Sequence, residues 1–496
     1  MKTRIALILA SMTLPLAGHA AGSAALEKGR ALFNKGSFAN ASFEFFKENS
    51  PSELTKGRYG FGLSLYRLKL PHLASIPMMT VATQAEGKLQ KKALDTLVKI
   101  SYETNDNTLL HYAINKLSVE DLEETSQEVF FNRLADYNQE NGKYDEALRN
   151  VDAVLKKNPD NEKAIFTGGL VYLKKDNPIK AQEFFKHLAS SFEQKAPNDE
   201  MRGLALANYA RALYQGRNMA EAENIYRQIP KDHSAYRKVQ MELAWTLFRG
   251  GKIRSALSSL QTLHTPFYEN FYDPESFILR AIILIFACQG DEAMKAVKAF
   301  QKNFAGLDDS LTAWLKNSAT QASVIAELQA AQANIKDPRA KKKSQLPFFV
   351  VRTLMDEQPL RGLLKVKADI LTEQQTFLRL FKTAKNPGFQ NYAKKAYQAK
   401  LRSLDKNIAR VFKARIENFQ KEYRDLDAQV EFLQYEILEE KKRASKAKLT
   451  GPLTVDANEK RSFYVQNGFR YWPFTGEYWI DEIGNYQYLG VNRCED

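Results

Sequence analysis

Two stretches decide the reading of this chain: Asn132–Asn161, NRLADYNQENGKYDEALRNVDAVLKKNPDN, and Phe166–Leu188, FTGGLVYLKKDNPIKAQEFFKHL. Laid one over the other, Ala135 falls on Gly169 and Ala147 on Ala181, each pair 34 residues apart, and Pro159 closes the first unit. A period of that length with small residues at two fixed places marks a repeat array. The reason is contact: two antiparallel helices approach closely only where a side chain is nearly absent, and bulky neighbours fill the holes so created. The same register gives units near 22–54 (Gly29, Ala41, Phe45), 55–87 (Gly62, Ala74), 128–161 and 162–195 (with Phe185). It continues near 203–236 (Ala210, Ala222, Tyr226), 237–270 (Ala244, Ala256, Leu260) and 274–306 (Ala281, Ala293, Val297). Residues 88–127, with KKALDTLVKI and LLHYAINKL, read as a degenerate helix pair.

The pattern resembles the tetratricopeptide repeat, in which small residues stand at the eighth and twentieth positions, a large one near the twenty-fourth and Pro near the thirty-second. The resemblance covers the solenoid segment 21–310 and implies an all-α superhelix whose first helices line a concave groove. In this family the groove-facing positions are the second, fifth, ninth, twelfth and thirteenth of each unit. On this sequence they give Asp136, Gln139 and Glu140, then Lys163, Phe166 and Lys174, then Arg211, Tyr214 and Gln215, and finally Trp245, Phe248 and Arg249. Lys174, Arg211, Tyr214, Trp245, Phe248 and Arg249 form the candidate partner-binding set, since aromatics anchor a peptide and Arg offers paired hydrogen bonds. The alternative is that these side chains pack against the next unit, or that the protein's own chain fills the groove. The basic and Asn pattern with which some family members hold a C-terminal carboxylate is not reproduced in these residues.

Residues 1–20 read as a signal peptide. Lys2 and Arg4 precede an apolar run from Ile5 to Leu16, and Ala17-Gly18-His19-Ala20 supplies small residues for cleavage. The expectation is a periplasmic protein that is not a lipoprotein, because no Cys follows the small residues. The net charge of +14 is uneven: residues 341–448 hold 25 basic against 13 acidic residues. That segment is either a solvated helical surface or a face for an anionic partner. Export argues against nucleic acid as that partner. The two cysteines, Cys288 and Cys494, are too few for a disulfide framework and leave open whether they pair.

Beyond a helix and basic linker at 311–352, residues 353–448 read as a basic helical hairpin. Its first helix is expected from Thr353 to Thr383. A longer one follows from Gln390 to Lys448, where Ile416, Phe419, Tyr423, Leu426, Val430, Leu433 and Ile437 step by three and four as in a coiled coil. The unequal lengths leave half of the long helix to meet the repeats, the 311–335 helix or another copy of the chain. Residues 449–496 form an aromatic, β-like tail with a hairpin expected around Asp481–Asn485. In the tail Trp472, Phe474, Tyr478 and Trp479 either cap the fold or meet a ligand. The string WPFTGEYWIDEIGNY resembles a C-terminal signature of envelope tetratricopeptide-repeat proteins from gliding and predatory bacteria, which implies a role in motility or envelope assembly.

No metal-binding His pair, nucleotide loop or nucleophile elbow is present, so neither cofactor nor catalysis is expected. The leading expectation is a non-catalytic envelope scaffold for a protein partner. The other is a peptidoglycan-binding or cell-wall-enzyme-activating protein acting through the basic hairpin and tail.

Overall fold

The computed structural model describes residues 22–448, apart from 107–108, 110–111, 113–118, 120–121, 197–198, 318, 338, 340–341 and 383–385, together with 482–488. Among these residues the secondary structure is helical, without strands. The leading helices are α1 (Gly22–Asn34), α2 (Phe38–Lys47), α3 (Leu54–Arg67), α4 (Pro71–Gln84), α5 (Gly87–Thr104), α6 (Glu124–Glu140), α7 (Tyr144–Leu155) and α8 (Glu162–Lys174). They continue as α9 (Pro178–Lys195), α10 (Glu200–Gln215), α11 (Met219–Tyr226), α12 (Tyr236–Arg249) and α13 (Ile253–Leu263). A 3-10 turn (Pro266–Phe271) precedes α14 (Pro274–Phe286) and α15 (Gly290–Asn303).

The backbone repeats with the sequence. The fifteenth residue of all seven units has positive φ: Gly36, Lys69, Gly142, Asp176, Arg217, Gly251 and Cys288, between 51° and 76°. The next residue's N–H reaches back to the carbonyl five positions earlier, from Ser37 to Leu32 in the first unit and from Gln289 to Leu284 in the last. This is the Schellman closure of a helix, which glycine adopts freely. Lys69, Asp176, Arg217 and Cys288 hold it against a steric cost of roughly 1 kcal/mol each. The second helix often starts on a side-chain cap, with Asn177 accepting from the Lys180 N–H and Asn218 from that of Glu221. The alanines at the twentieth position, Ala41, Ala74, Ala147, Ala181, Ala222, Ala256 and Ala293, have no exposed surface. The fold is thus a tetratricopeptide-repeat-type helical array.

The chain divides into two compact units. The first joins residues up to Val171 with Gln358–Ile408. Its core places Phe45 under Gly29 and Gly60, where an added Cβ would stand 2.7 Å from the ring, so only glycine admits the aromatic side chain. Two late helices complete this core: α19 (Leu360–Leu380) and the start of α20 (Pro387–Lys448), with α16 (Leu307–Asn317), α17 (Gln321–Lys336) and α18 (Phe348–Asp356) preceding them. Phe377, Phe381, Phe389 and Tyr397 are buried in one cluster with Phe45 and Phe61. Phe389 meets Phe61 edge-on at 5.7 Å. The Lys367 ammonium pairs with Asp405 at 2.6 Å, fastening α19 to α20. The carboxylate of Glu373 on α19 accepts the backbone N–H groups of His72 and Leu73, both at 2.8 Å, and the Tyr397 hydroxyl at 2.9 Å.

The helix expected over 353–383 is divided. Pro359 lacks a backbone donor and disfavours helical geometry in the residue before it, so α18 ends at Asp356 and α19 begins at Leu360. The long helix α20 is unbroken over 62 residues, about 93 Å at 1.5 Å per residue.

The second unit joins Tyr172–Glu357 with the chain from Ala409 onward. Here α20 lies on the last repeat and α16. Tyr423 stacks on Phe300 at 5.9 Å and 10°, Phe412 meets Trp314 edge-on, and Arg424 holds Asp308 through two bonds of 2.7 and 3.1 Å. Ile416, Val430 and Ile437 are buried. The basicity of 341–448 is partly consumed by such pairs, Lys441 with Asp291 at 2.7 Å among them.

Residues 482–488 form a turn and an irregular segment that bonds α13. Gly484 donates its N–H to Thr262 Oγ1 at 3.0 Å, Tyr488 donates its own to Ser258 Oγ at 2.8 Å, and the Tyr488 hydroxyl bonds the Gln289 side chain. Ile483 is buried against Tyr236 and Tyr268. Glu482–Gly484, expected at the centre of a hairpin, is this turn and pairs with no strand among the described residues. Trp472, Phe474, Tyr478 and Trp479 lie outside those residues. Cys288, one residue before Gln289, is disulfide-bonded. The chain's other cysteine, Cys494, also lies outside the described residues. An unreduced proteolytic digest is therefore expected to yield a Cys288–Cys494 linked peptide that reduction splits. Recovery of both cysteines as free thiols from unreduced protein would contradict this.

Candidate protein-interaction face

The groove positions fall on consecutive first helices, and a polar link joins each helix to the next. Asp136 on α6 meets Lys163 at 2.8 Å and the Thr167 hydroxyl at 2.8 Å on α8. On α10, Arg211 donates to both oxygens of Glu242 on α12, at 2.8 and 3.0 Å, and to Asn208. On α12, the Trp245 indole donates to Glu275 of α14 at 3.0 Å.

Arg211 is thus bonded within the array, to Glu242 of the next unit and to Asn208 on its own helix. Burial opposes its charge, yet Glu242 outweighs that and holds the guanidinium above its ordinary pKa. Burial also pushes the Tyr226 hydroxyl well up, and its bond to Glu242 adds to the shift. Gln215 donates to Asp176. Of the predicted set, Arg211 and Trp245 thus bond the next unit, whereas Lys174 and Arg249 are exposed.

An aromatic row remains. Trp245 and Phe248 are half-buried with ring centroids 6.3 Å apart, and Phe248 meets Phe286 edge-on at 5.3 Å and 71°. Phe286 on α14 keeps 63% of its surface exposed. Tyr214 on α10 is half-buried. One exposed and several half-buried rings on neighbouring helices, with the exposed Arg249 following Phe248 in sequence, are the composition of an interaction hot spot. Phe286 was missed by the sequence reading, although it is the thirteenth residue of its unit, as Arg249 is of the preceding one.

The histidines have structural surroundings. Burial lowers the His72 pKa to about 4. His264, pushed well below its ordinary value by burial, stacks on Phe277 at 4.0 Å and bonds Ser276. Among the described residues no group of three or more His, Cys, Asp or Glu could hold a metal ion. No described helix is long and apolar enough to cross a membrane.

No family model matches the chain, and neither does any curated protein. Among solved structures it is similar to MamA, at 18% identity over 34% of this chain and 94% of that one, with TM-score 0.30. A tetratricopeptide repeat protein from Parabacteroides merdae matches at 16% identity over 57% and 93% of the two chains, with TM-score 0.27. A Rap protein in complex with Competence and Sporulation Factor matches at 12% identity over 73% and 99%, with TM-score 0.32.

Proposed function

We propose that this tetratricopeptide-repeat-type chain is an exported, non-catalytic scaffold that holds a protein partner on the first-helix face of its second unit, within a cell-envelope assembly. The observation that carries the reading is the row Trp245, Phe248 and Phe286, two half-buried rings ending in an exposed one. A scaffold needs such anchors, because a few well-placed aromatic side chains supply most of an interface's binding energy. Export is supported by the charged and apolar pattern of residues 1–20, and a disulfide-bonded Cys288 suits an oxidising compartment. The resemblance of WPFTGEYWIDEIGNY to the tails of envelope tetratricopeptide-repeat proteins from gliding and predatory bacteria supports a role in motility or envelope assembly.

The test is crosslinking in intact cells, followed by mass spectrometry of what the purified protein carries. Phe248→Ala with Phe286→Ala is expected to reduce recovery of the partner about tenfold or more, as losing hot-spot rings does. Stability should change by about 1 kcal/mol at most, since Phe286 is exposed and Phe248 half-buried. Undiminished recovery from the folded double variant would sink the proposal. Recovery of cell-wall fragments alone would transfer the function to the basic helix and the tail.

A further inference from the structure

The first unit contains a cleft that the sequence reading did not single out. Helices α1, α3 and α5 enclose about 630 Å³, with Arg30 and Phe33 contributed by α1, Lys56 and Tyr59 by α3, and Lys88 and Lys92 by α5. Phe45 lies beneath Gly60 as part of its lining. No acidic side chain lines the cleft. Lys56 pairs with Glu53 one turn away, but the side chains of Arg30, Lys88 and Lys92 pair with no described residue.

This charge arrangement works against local stability. Lys88 and Lys92 are like charges one helical turn apart, which repel. They also stand in the opening turns of α5, where the helix dipole favours anions, and that first turn holds no acid. Glu86 at the N-cap offsets part of this, but the three cations are exposed and no acid lines the cleft, so its walls are electropositive and suit an anion from outside the chain. Its size follows from the walls. The half-buried rings of Phe33 and Tyr59 line the same cleft as Arg30 of α1 and Lys88 and Lys92 of α5, a spread of charge and apolar surface that a small inorganic anion would leave mostly unused.

We propose that this cleft binds an extended acidic segment of a partner protein, with Phe33 and Tyr59 gripping an apolar side chain while Arg30, Lys88 and Lys92 pair with carboxylates around it. The site belongs to the first unit and stands independently of the aromatic row of the second.

The full-length protein is titrated with a capped, fluorescent peptide carrying acidic residues on both sides of a leucine. Binding is expected to weaken with added salt, as charge pairing does. It should fall about tenfold or more in K88E/K92E and also in Tyr59→Ala, and stay unchanged in Phe286→Ala. K88E/K92E places acids at a helix N-terminus, where they favour the helix, so its thermal midpoint should hold or rise and loss of binding cannot be blamed on unfolding. Unchanged affinity in folded K88E/K92E, or equal binding of a lysine counterpart of the peptide, would overturn the proposal. So would binding confined to anionic lipid vesicles or inorganic phosphate.

Discussion

Glu373→Ala is expected to destabilise the protein by about 3 kcal/mol, read from urea or thermal unfolding. The first turn of α4 lacks a cap of its own, because Leu70 precedes it and offers no side-chain acceptor. Glu373 supplies that acceptor from a distant part of the chain, and truncation would strand two buried backbone donors together with the Tyr397 hydroxyl. Each buried group left without a partner costs about 1–3 kcal/mol. Burial pushes the Glu373 carboxyl up to about 6, against the opposing pull of these three bonds. A folded pKa above the unfolded value means that its contribution is complete below about 4.5 and is lost as pH rises through 6, about 2 kcal/mol in all. His72 acts in the opposite sense: its pKa is lowered to about 4, so its contribution is present above about 6.5 and is lost on acidification. The two slopes oppose one another in mildly acidic solution. Glu373→Gln removes one of them, so its stability should fall more steeply than that of the parent between pH 6.5 and about 4.5. Parallel profiles would show that Glu373 does not titrate there.

Phe45→Ala is expected to cost about 3–5 kcal/mol, the range for deleting a buried ring from a packed core. Phe45 is 5% exposed and touches the positions where Gly29 and Gly60 carry no Cβ. Gly60→Ala places a methyl 2.7 Å from that ring and should cost about 1–3 kcal/mol by overpacking. In the double variant the ring is gone and the methyl has room, so the double variant should cost less than the sum of the two single-variant costs. Additive effects would mean that the glycine is retained for some reason other than the ring.

Much of the solenoid was legible because it depends on local rules. A small residue at the eighth and twentieth positions is visible in the letters, and the seven left-handed turns recur at the place that this register sets. Side-chain partners were not legible, because they depend on what lies across the interface. Arg211 looks in sequence like a free groove cation, yet Glu242, 31 positions later, takes the Nε–Nη2 edge of its guanidinium and Asn208 takes Nη1. Phe286, Arg30 and Tyr59 occupy the same family positions as the residues that were singled out, one or more units away. They could have been found by carrying those positions through every unit. Pro359 was a visible breaker inside an expected helix. The docking of Glu373 on α4 carried no sequence signal, since nothing in a periodicity ties residue 373 to residue 72.

That last contact has a kinetic consequence. The donor of Glu373's first hydrogen bond lies 301 residues before it, and the aromatic cluster of the first unit is closed by Phe377, Phe381, Phe389 and Tyr397. On a ribosome the opening repeats emerge long before the side chains that complete them, and Phe43, Phe46 and Phe61 must wait uncovered. Such closure across a long loop delays folding and exposes sticky surface while it lasts. A chain that matures in this order gains from being held by a chaperone until α19 and the start of α20 arrive, and truncation before α19 would leave the earliest repeats as an aggregation hazard.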